Sequence, residues 1–172
     1  LAGYEATLQR VQGLLSPQHD VLEIGCGTGS TALRLAPFTR SLLATDVSSQ
    51  MIDIAHQRLA AQPSPALRFA VADAEAMAPG PEVYDAVLAF NVLHLMTDLD
   101  DALRQLAKVL RPGGLLISKT ACIAEMNPLI PYLAVPLMRP IGKAPPVFSF
   151  DEQRLRSAMV QQGLQIVCTE RP

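Results

Sequence analysis

The 172-residue sequence has no tryptophan, and only 5% of its residues are aromatic. Lysine and arginine total 14 against 16 acidic residues and form no basic run, which argues against nucleic acid as a partner. Its three cysteines are widely spaced, a pattern that indicates neither a disulfide framework nor a zinc site. We therefore expect a reducing, cytoplasmic setting and no bound metal.

Long apolar runs are also absent. A membrane helix needs ~20 apolar residues, whereas the longest uncharged stretches contain His94 or several prolines and none approaches that length. We expect no membrane span. Hydrophobic residues nevertheless make up 49% of the chain, enough for one domain with an aliphatic core. The first residue is Leu1 and no signal-peptide pattern follows it, so the start is expected to have been trimmed or to lie further upstream.

Residues 20–30 contain the most informative pattern in the chain. Val21 to Ile24 has the length and branching of a buried strand, and Gly25, Gly27 and Gly29 follow at alternate positions before a helical pattern. Glycines let the backbone take positive φ and approach a ligand, and the first amides of the helix point into the same space. The stretch predicts a nucleotide-type binding loop.

Strand and helix patterns alternate along the rest of the chain. Tyr4, Leu8, Val11 and Leu15 recur at helical spacing and predict the first helix. The expected starts of later helices are Ser48, either Thr97 or Asp98, and a capping box formed by Ser149 and Glu152. Strands are predicted over 21–24, 41–45, 67–71, 84–90, 115–119 and 164–169. This alternation predicts a doubly wound, Rossmann-like α/β fold, with a mostly parallel sheet and helices on both faces.

We divide the single predicted domain, residues 1–172, into four parts. An N-terminal helix occupies 1–17, a ligand-binding core 18–120, a proline-rich segment 121–148, and a C-terminal helix and strand 149–172. The segment 121–148 combines six prolines with many apolar residues, which is consistent either with a lid over a hydrophobic substrate or with a surface loop. Its polar candidates for orienting a substrate are Tyr132, Arg139 and Lys143.

The residues that follow the strands should converge. In parallel sheets ligands bind beyond the carboxyl ends of the strands, where the glycine loop, Asp46, Asp73 and Asn91 all fall. A dinucleotide such as NAD(P) is one candidate, because Gly27 to Ala32 fits G-x-G-x-x-A. Glu23 at the strand end would repel a pyrophosphate but would attract the ammonium and sulfonium of S-adenosylmethionine, so it favours the methyl donor.

Five ordered blocks between residues 18 and 120 resemble the class I S-adenosylmethionine-dependent methyltransferases, in particular the small-molecule branch of the ubiquinone/menaquinone C-methyltransferase type. The blocks are VLEIGCGTG at 21–29, TDVSSQM at 45–51, ADAEAM at 72–77, YDAV at 84–87 and LRPGG at 110–114. The resemblance implies S-adenosyl-L-methionine as cofactor, S-adenosyl-L-homocysteine as product, and a class I methyltransferase fold.

The resemblance also implies the following donor-binding residues. Asp46 would hold the ribose hydroxyls, Asp73 would accept from the adenine amino group, and the Ala74 amide would reach a ring nitrogen. Met51 would pack on adenine, or else only in the core. The full donor-binding set is Glu23, Gly25, Cys26, Gly27, Gly29, Asp46, Val47, Met51, Asp73, Ala74 and Asn91. Within it, Cys26 is expected to be inert packing, and outside it Asp85 is expected to be structural.

Methyl transfer is an in-line displacement that needs alignment and exclusion of water, and it needs a base only if the acceptor must lose a proton. His94 is the candidate base, although a structural role is the alternative. Residues 91–94 lack the Asn/Asp-Pro-Pro-Tyr/Phe sequence of amino methylation, so a small, apolar acceptor is expected. A donor-binding module without catalysis, a macromolecule methyltransferase and an NAD(P)-dependent oxidoreductase remain the alternatives, and a homodimer stays open.

One departure from the family pattern concerns the C-terminus. The family's sheet normally gains a seventh, antiparallel strand between the fifth and sixth strands, whereas here the chain stops at Pro172 after the sixth. We expect either further residues that are disordered or deleted, or a partner chain in that place.

Overall fold

A computed structural model describes residues 2–75, 83–120 and 151–170. Its sheet has five parallel strands in the order β3-β2-β1-β4-β5. The strands are β1 (Asp20–Ile24), β2 (Ser41–Asp46), β3 (Leu67–Val71), β4 (Tyr84–Phe90) and β5 (Leu110–Lys119). The helices are α1 (Ala2–Gln12), α2 (Ser30–Leu35), α3 (Ser49–Ala61), α4 (Leu99–Val109) and α5 (Glu152–Gln161), with 3₁₀ turns at Ala36–Phe38 and Leu93–Leu95.

Helices cover both faces of the sheet and create two apolar clusters. Alternate residues of a strand point to opposite faces, so Val21 joins the cluster under α1, α2 and α3, whereas Leu22 joins the cluster under α4 and α5. In the second cluster, Leu103 and Leu106 of α4 are fully buried. Burying a leucine side chain stabilises a fold by roughly 1.5–3 kcal/mol. The predicted doubly wound α/β fold is confirmed.

The strand order places a topological switch point next to β1. The chain runs outward from β1 through β2 to β3, then crosses to the other side of β1 to form β4 and β5. Connections therefore leave β1 and β4 in opposite directions, and a crevice opens beyond their carboxyl ends. This is where the predicted ligand-binding residues follow the strands.

Side-chain caps fix the starts of two helices as predicted. Ser48 Oγ accepts a hydrogen bond from the Met51 amide at 3.4 Å, and Asp98 Oδ1 accepts from the Asp101 amide at 2.9 Å. Of the two candidates for α4, Asp98 rather than Thr97 is the cap. Each such cap satisfies an amide that has no partner within the helix.

Three sequence predictions fail in the C-terminal half. Residues 164–170 form no strand, because an apolar alternation becomes a strand only when a neighbour pairs with it, and Val167 is 83% exposed. Helix α5 begins after Asp151, whose side chain accepts from the Arg154 amide at 2.7 Å, so the Ser149 capping box is wrong. Strand β5 begins at Leu110 and not at the predicted residue 115, because Leu110 directly after α4 already pairs with Tyr84.

At the amino ends of β1, β4 and β5, opposite the end where the predicted ligand-binding residues lie, charged side chains connect the strands. Asp85 Oδ2 accepts from the Asp20 amide at 2.7 Å and from Arg111 at 2.6 Å, and Asp20 also pairs with Arg40 and Arg111. The structural role predicted for Asp85 is confirmed.

The predicted substrate lid and its Tyr132, Arg139 and Lys143 lie outside the described residues. Over the parts that are described, no helix has the length and apolar character to cross a membrane.

Candidate functional site

The three loop glycines all have positive φ, between 55° and 75°, but they serve different purposes. A Cβ at position 25 would lie 2.4 Å from Val92 Cγ2, and one at position 29 would lie 2.4 Å from Phe69 Cζ. These two glycines let the loop pack against its neighbours. Among the described residues, no atom lies within 4 Å of a Cβ placed on Gly27, so a ligand can approach the backbone there.

Asp46 ties the end of β2 to the glycine loop. Its Oδ2 accepts from the Gly27 amide at 2.8 Å, and its Oδ1 accepts from the Ser48 amide at 2.9 Å. A carboxylate has about four acceptor positions, so these two bonds leave capacity for two further donors such as a pair of hydroxyls. Asp46 therefore shapes the loop and can still bind a ligand.

Glu23 is the most unusual residue of the site. It is 2% exposed, and its Oε2 has no hydrogen-bond partner among the described residues. Burial raises the pKa of this carboxyl to about 8. An unpartnered buried carboxyl is costly, and a cationic ligand group would supply the missing partner.

A cavity of about 120 Å³ lies beside Glu23, between α1 and the carboxyl ends of β1, β4 and β5. Its walls come from α1, the glycine loop, the start of α2 and the ends of the three strands. The lining residues are Tyr4, Thr7, Leu8, Glu23, Gly25, Cys26, Thr31, Phe90, Asn91 and Lys119. Four predicted site residues, Glu23, Gly25, Cys26 and Asn91, therefore share one cavity.

The Cys26 thiol is unsuited to nucleophilic chemistry. Burial, followed by the charges of Glu23 and Asp46, raises the pKa of this thiol to about 12. The thiolate is the reactive form, and it is negligible at neutral pH. The structure agrees with the expected packing role of Cys26.

The residues predicted for the nucleobase end follow β2 and β3. Val47 is 70% exposed and Met51 41% exposed, so both offer apolar surface to a ligand. The Ala72 amide donates to the Asp46 carbonyl at 3.0 Å, which keeps the segment after β3 beside the end of β2. There Asp73 is exposed, its Oδ1 accepting from the Glu75 amide at 2.9 Å, and Ala74 packs on the second apolar cluster.

Asn91 and His94 follow β4 but reach different surroundings. Asn91 has the positive φ of 54°, unusual for a residue other than glycine, and its amide donates to the Lys119 carbonyl at 2.6 Å. His94 lies in the 3₁₀ turn, does not line the cavity, and has a buried Nδ1 without a partner in the described parts of the chain. Burial lowers the pKa of His94, so its imidazole is neutral at pH 7.

Several residues that contact the loop or the cavity were not predicted. Arg58 of α3 donates to Thr28 Oγ1 at 2.9 Å and to Ser30 Oγ at 2.6 Å, and Lys119 lines the cavity. Nothing in the sequence identifies Arg58, since its partners lie 28 and 30 residues away. Lys119 could have been found, because it is the last residue of a predicted strand.

Metal-assisted chemistry has no evident site in the described ranges. Within residues 2–75, 83–120 and 151–170, no three His, Cys, Asp or Glu side chains are grouped so as to hold an ion. Acid–base, charge and backbone groups are what these ranges offer to a ligand.

Comparison with known proteins agrees with this geometry. A family described as "Methyltransferase domain" matches residues 21–114, more than half of the chain and all of the glycine loop. Methyltransferase GfsG of Streptomyces halstedii is 33% identical over 118 residues, which are 67% of this chain and 42% of that protein. The non-reducing polyketide synthase dpmpA of Macrophomina phaseolina is 35% identical over 147 residues, 77% of this chain and 6% of that protein.

A solved structure extends the likeness beyond the matched sequence. Phosphoethanolamine N-methyltransferase 2 of Haemonchus contortus, in complex with S-adenosyl-L-methionine, aligns with a TM-score of 0.74 at 17% identity, covering 94% of this chain and 36% of that one. The chain belongs to the methyltransferase domain family. It spans less than half of the length of the two curated relatives.

S-adenosyl-L-methionine is the cofactor of this family, and the site fits it. Within the described ranges, Glu23 Oε2 lacks the partner that an ammonium would provide, and the space over Gly27 admits a ligand. The two unused acceptor positions of Asp46 suit the two hydroxyls of a ribose. Glu23, Gly27 and Asp46 therefore fit this cofactor.

Proposed function

We propose that this chain is an S-adenosylmethionine-dependent methyltransferase that acts on a small, apolar molecule. The observation that carries the proposal is the buried carboxyl of Glu23 beside the glycine loop, whose Oε2 has no partner among the residues that the structure describes. A carboxylate there attracts an ammonium and a sulfonium, whereas it would repel a pyrophosphate. The same observation disfavours the NAD(P)-dependent oxidoreductase.

In the proposed pose the donor runs along the carboxyl ends of the strands. The ammonium of the donor contacts Glu23, the donor passes over the backbone of Gly27, and its ribose hydroxyls donate to Asp46. Adenine lies beyond β2 and β3, where Asp73 and the Ala74 amide offer an acceptor and a donor. Val47 and Met51 supply apolar cover for that ring.

The bound cofactor supplies a methyl group on a sulfonium, which is a strong leaving group. The chain's residues align the reactants and keep water from the reacting atoms. Asn91, with its backbone fixed by the bond to the Lys119 carbonyl, orients the methyl end. His94 is the proposed base where the acceptor carries a proton, since a neutral imidazole can accept one.

The acceptor is proposed to be apolar because the charged groups of the site are committed to the donor. The name of one relative, a polyketide synthase, supports an acceptor built from a carbon chain. The scattered charges and the scarcity of aromatic residues support a small molecule in the cytoplasm rather than a nucleic acid. The role of 121–148 as the substrate lid, and a homodimer as the assembly, are parts of this proposal.

Calorimetric titration of the purified chain with S-adenosylmethionine, S-adenosylhomocysteine and NADH tests the proposal. We expect micromolar binding of both sulfur ligands and no heat from NADH. Asp46→Ala should lose the binding, because it removes the acceptors of the ribose and of the Gly27 amide. Asp53→Ala, an exposed change on α3, is the matched control and should bind as the wild type does.

Three outcomes separate the alternatives. Binding of NADH alone would overturn the methyltransferase assignment. Sulfur ligands that bind without methyl transfer to any apolar acceptor would favour a donor-binding module that lacks catalysis. Transfer to an apolar carbon chain with consumption of the donor would establish the enzyme.

A further inference from the structure

The cavity beside Glu23 is also lined by a lysine, Lys119, whose ammonium is positively charged. Lys119 and Glu23 come from different strands, β5 and β1, and both line the cavity. Neither forms an ion pair within the described ranges, although the two side chains face the same space. A small cavity with a carboxyl on one wall and an ammonium on another is complementary to a zwitterion, which has both charges.

The register of the sheet explains why the two groups meet. Val21 and Ile117 belong to the apolar cluster under α1, and Glu23 and Lys119 each lie two residues further along the same strand. Because the side-chain period of a strand is two, Glu23 and Lys119 point to that face as well. Strand β4 lies between them, with Phe90 paired to Lys119.

Helix α1 closes the cavity and holds Lys119 in position. Lys119 Nζ donates to Thr7 Oγ1 at 2.9 Å, which joins the end of β5 to α1. Tyr4 OH and Thr31 Oγ1, 3.1 Å apart, join α1 to the start of α2 on the adjacent wall. An ammonium has three donors, so Lys119 can keep this bond and still bind a carboxylate.

We propose that Lys119 binds the α-carboxylate of the methyl donor while Glu23 binds its α-ammonium, so that the cavity recognises the amino acid end of the cofactor. The inference rests on the proposed function and adds a binding residue to it. The two charges also fix the direction of the amino acid end, because reversing it would bring like charges together. Lys119 is the cation that recognises the carboxylate in this arrangement.

The test compares donors with and without the carboxylate. Calorimetry measures the affinity of wild type and Lys119→Met for S-adenosylmethionine and for decarboxylated S-adenosylmethionine. Since a charge-assisted hydrogen bond contributes about 1.5–3 kcal/mol, Lys119→Met should weaken binding of the complete donor about 10- to 100-fold. The decarboxylated donor should bind both proteins with similar affinity.

Three further variants control the experiment. Lys108→Met, an exposed lysine of α4, should change neither affinity, and Lys119→Arg should restore most of the binding of the complete donor. Glu23→Gln should weaken both donors equally, because both contain the ammonium. Thermal unfolding of each variant establishes that it folds.

The outcomes distinguish the two proposals. If wild type binds neither donor, the proposed function fails. If wild type binds the complete donor and Lys119→Met loses both donors by the same factor, or loses neither, the role of Lys119 is wrong while the methyltransferase assignment stands.

Discussion

Glu23 combines a cost in the free protein with a function in the complex. Its carboxyl is buried, its Oε2 has no partner in the described parts of the chain, and burial raises its pKa to about 8. An ammonium bound beside it favours the ionised form and lowers that pKa again. Binding at neutral pH must therefore release a proton from Glu23.

This linkage predicts a pH dependence of affinity. Binding of S-adenosylhomocysteine should tighten up to about tenfold per pH unit between pH 6 and 8, since deprotonation of Glu23 is required. Above about pH 8 the gain should end, because Glu23 is then already ionised in the free protein and binding releases no further proton. Calorimetry across this range checks the slope, and an equal slope in Glu23→Gln would refute the role of Glu23.

The loop glycines permit a second comparison between single residues. Gly25→Ala places a Cβ against Val92, so it should lower the free energy of unfolding by several kcal/mol. The methyl of Gly27→Ala meets no atom of the described residues, so the change should cost only the strain of positive φ, about 1–2 kcal/mol, while the methyl obstructs the ligand. Urea unfolding and donor titration separate the two, and equal losses of stability would contradict this division.

At the scale of elements, the start of α4 depends on one side chain. Asp98 accepts from the Asp101 amide, and α4 carries Leu103 and Leu106 into the core. Asp98→Ala should therefore lower the free energy of unfolding by about 1 kcal/mol. Urea unfolding measures it against Asp53→Ala, an exposed position within α3, and an equal effect of the two changes would argue against the cap.

The same elements explain how far the sequence could lead. Periodicity predicts β1 to β4 well because each is a short apolar run between clear turn residues. It fails at 164–169, since pairing with a neighbour, rather than alternation, makes a strand. The capping box fails because Asp151 competes as a cap only two residues after Ser149.

The site shows the same division between local and distant information. Gly27, Asp46 and Asn91 follow strands, so the topology of a parallel sheet is enough to group them. The partnership of Lys119 with Thr7 joins residues 112 positions apart, and the contact of Arg58 with the loop is equally non-local. Such contacts depend on how helices pack, which periodicity does not determine.

For the whole molecule, opposing titrations should set the pH of maximum stability. Hydrogen bonds from Arg40 and Ser41 hold the pKa of Asp20 below its usual value. Burial raises the pKa of Asp85, but the Asp20 amide and Arg111 outweigh it and lower the pKa overall. These carboxylates stabilise the fold above their unfolded pKa, and that stability is lost as the pH falls through their folded values.

Glu23 acts in the opposite direction. Its pKa is raised from 4.5 to about 8, so ionisation destabilises the fold by up to about 1.4 kcal/mol per pH unit across that interval. The free protein should therefore be most stable near pH 4–5. Urea unfolding from pH 3 to 8 should show this maximum in the free energy of unfolding. Glu23→Gln should remove only the decrease in stability on the high-pH side of the maximum.

The central claim is that the cavity between Glu23 and Lys119 holds the amino acid end of the methyl donor. A crystal structure of the chain with S-adenosylhomocysteine tests it most directly, through the distances from the ligand's amino nitrogen to Glu23 and from its carboxylate to Lys119 Nζ. The account predicts both within about 3.2 Å, the range of hydrogen bonds. An amino acid end bound outside this cavity would contradict it.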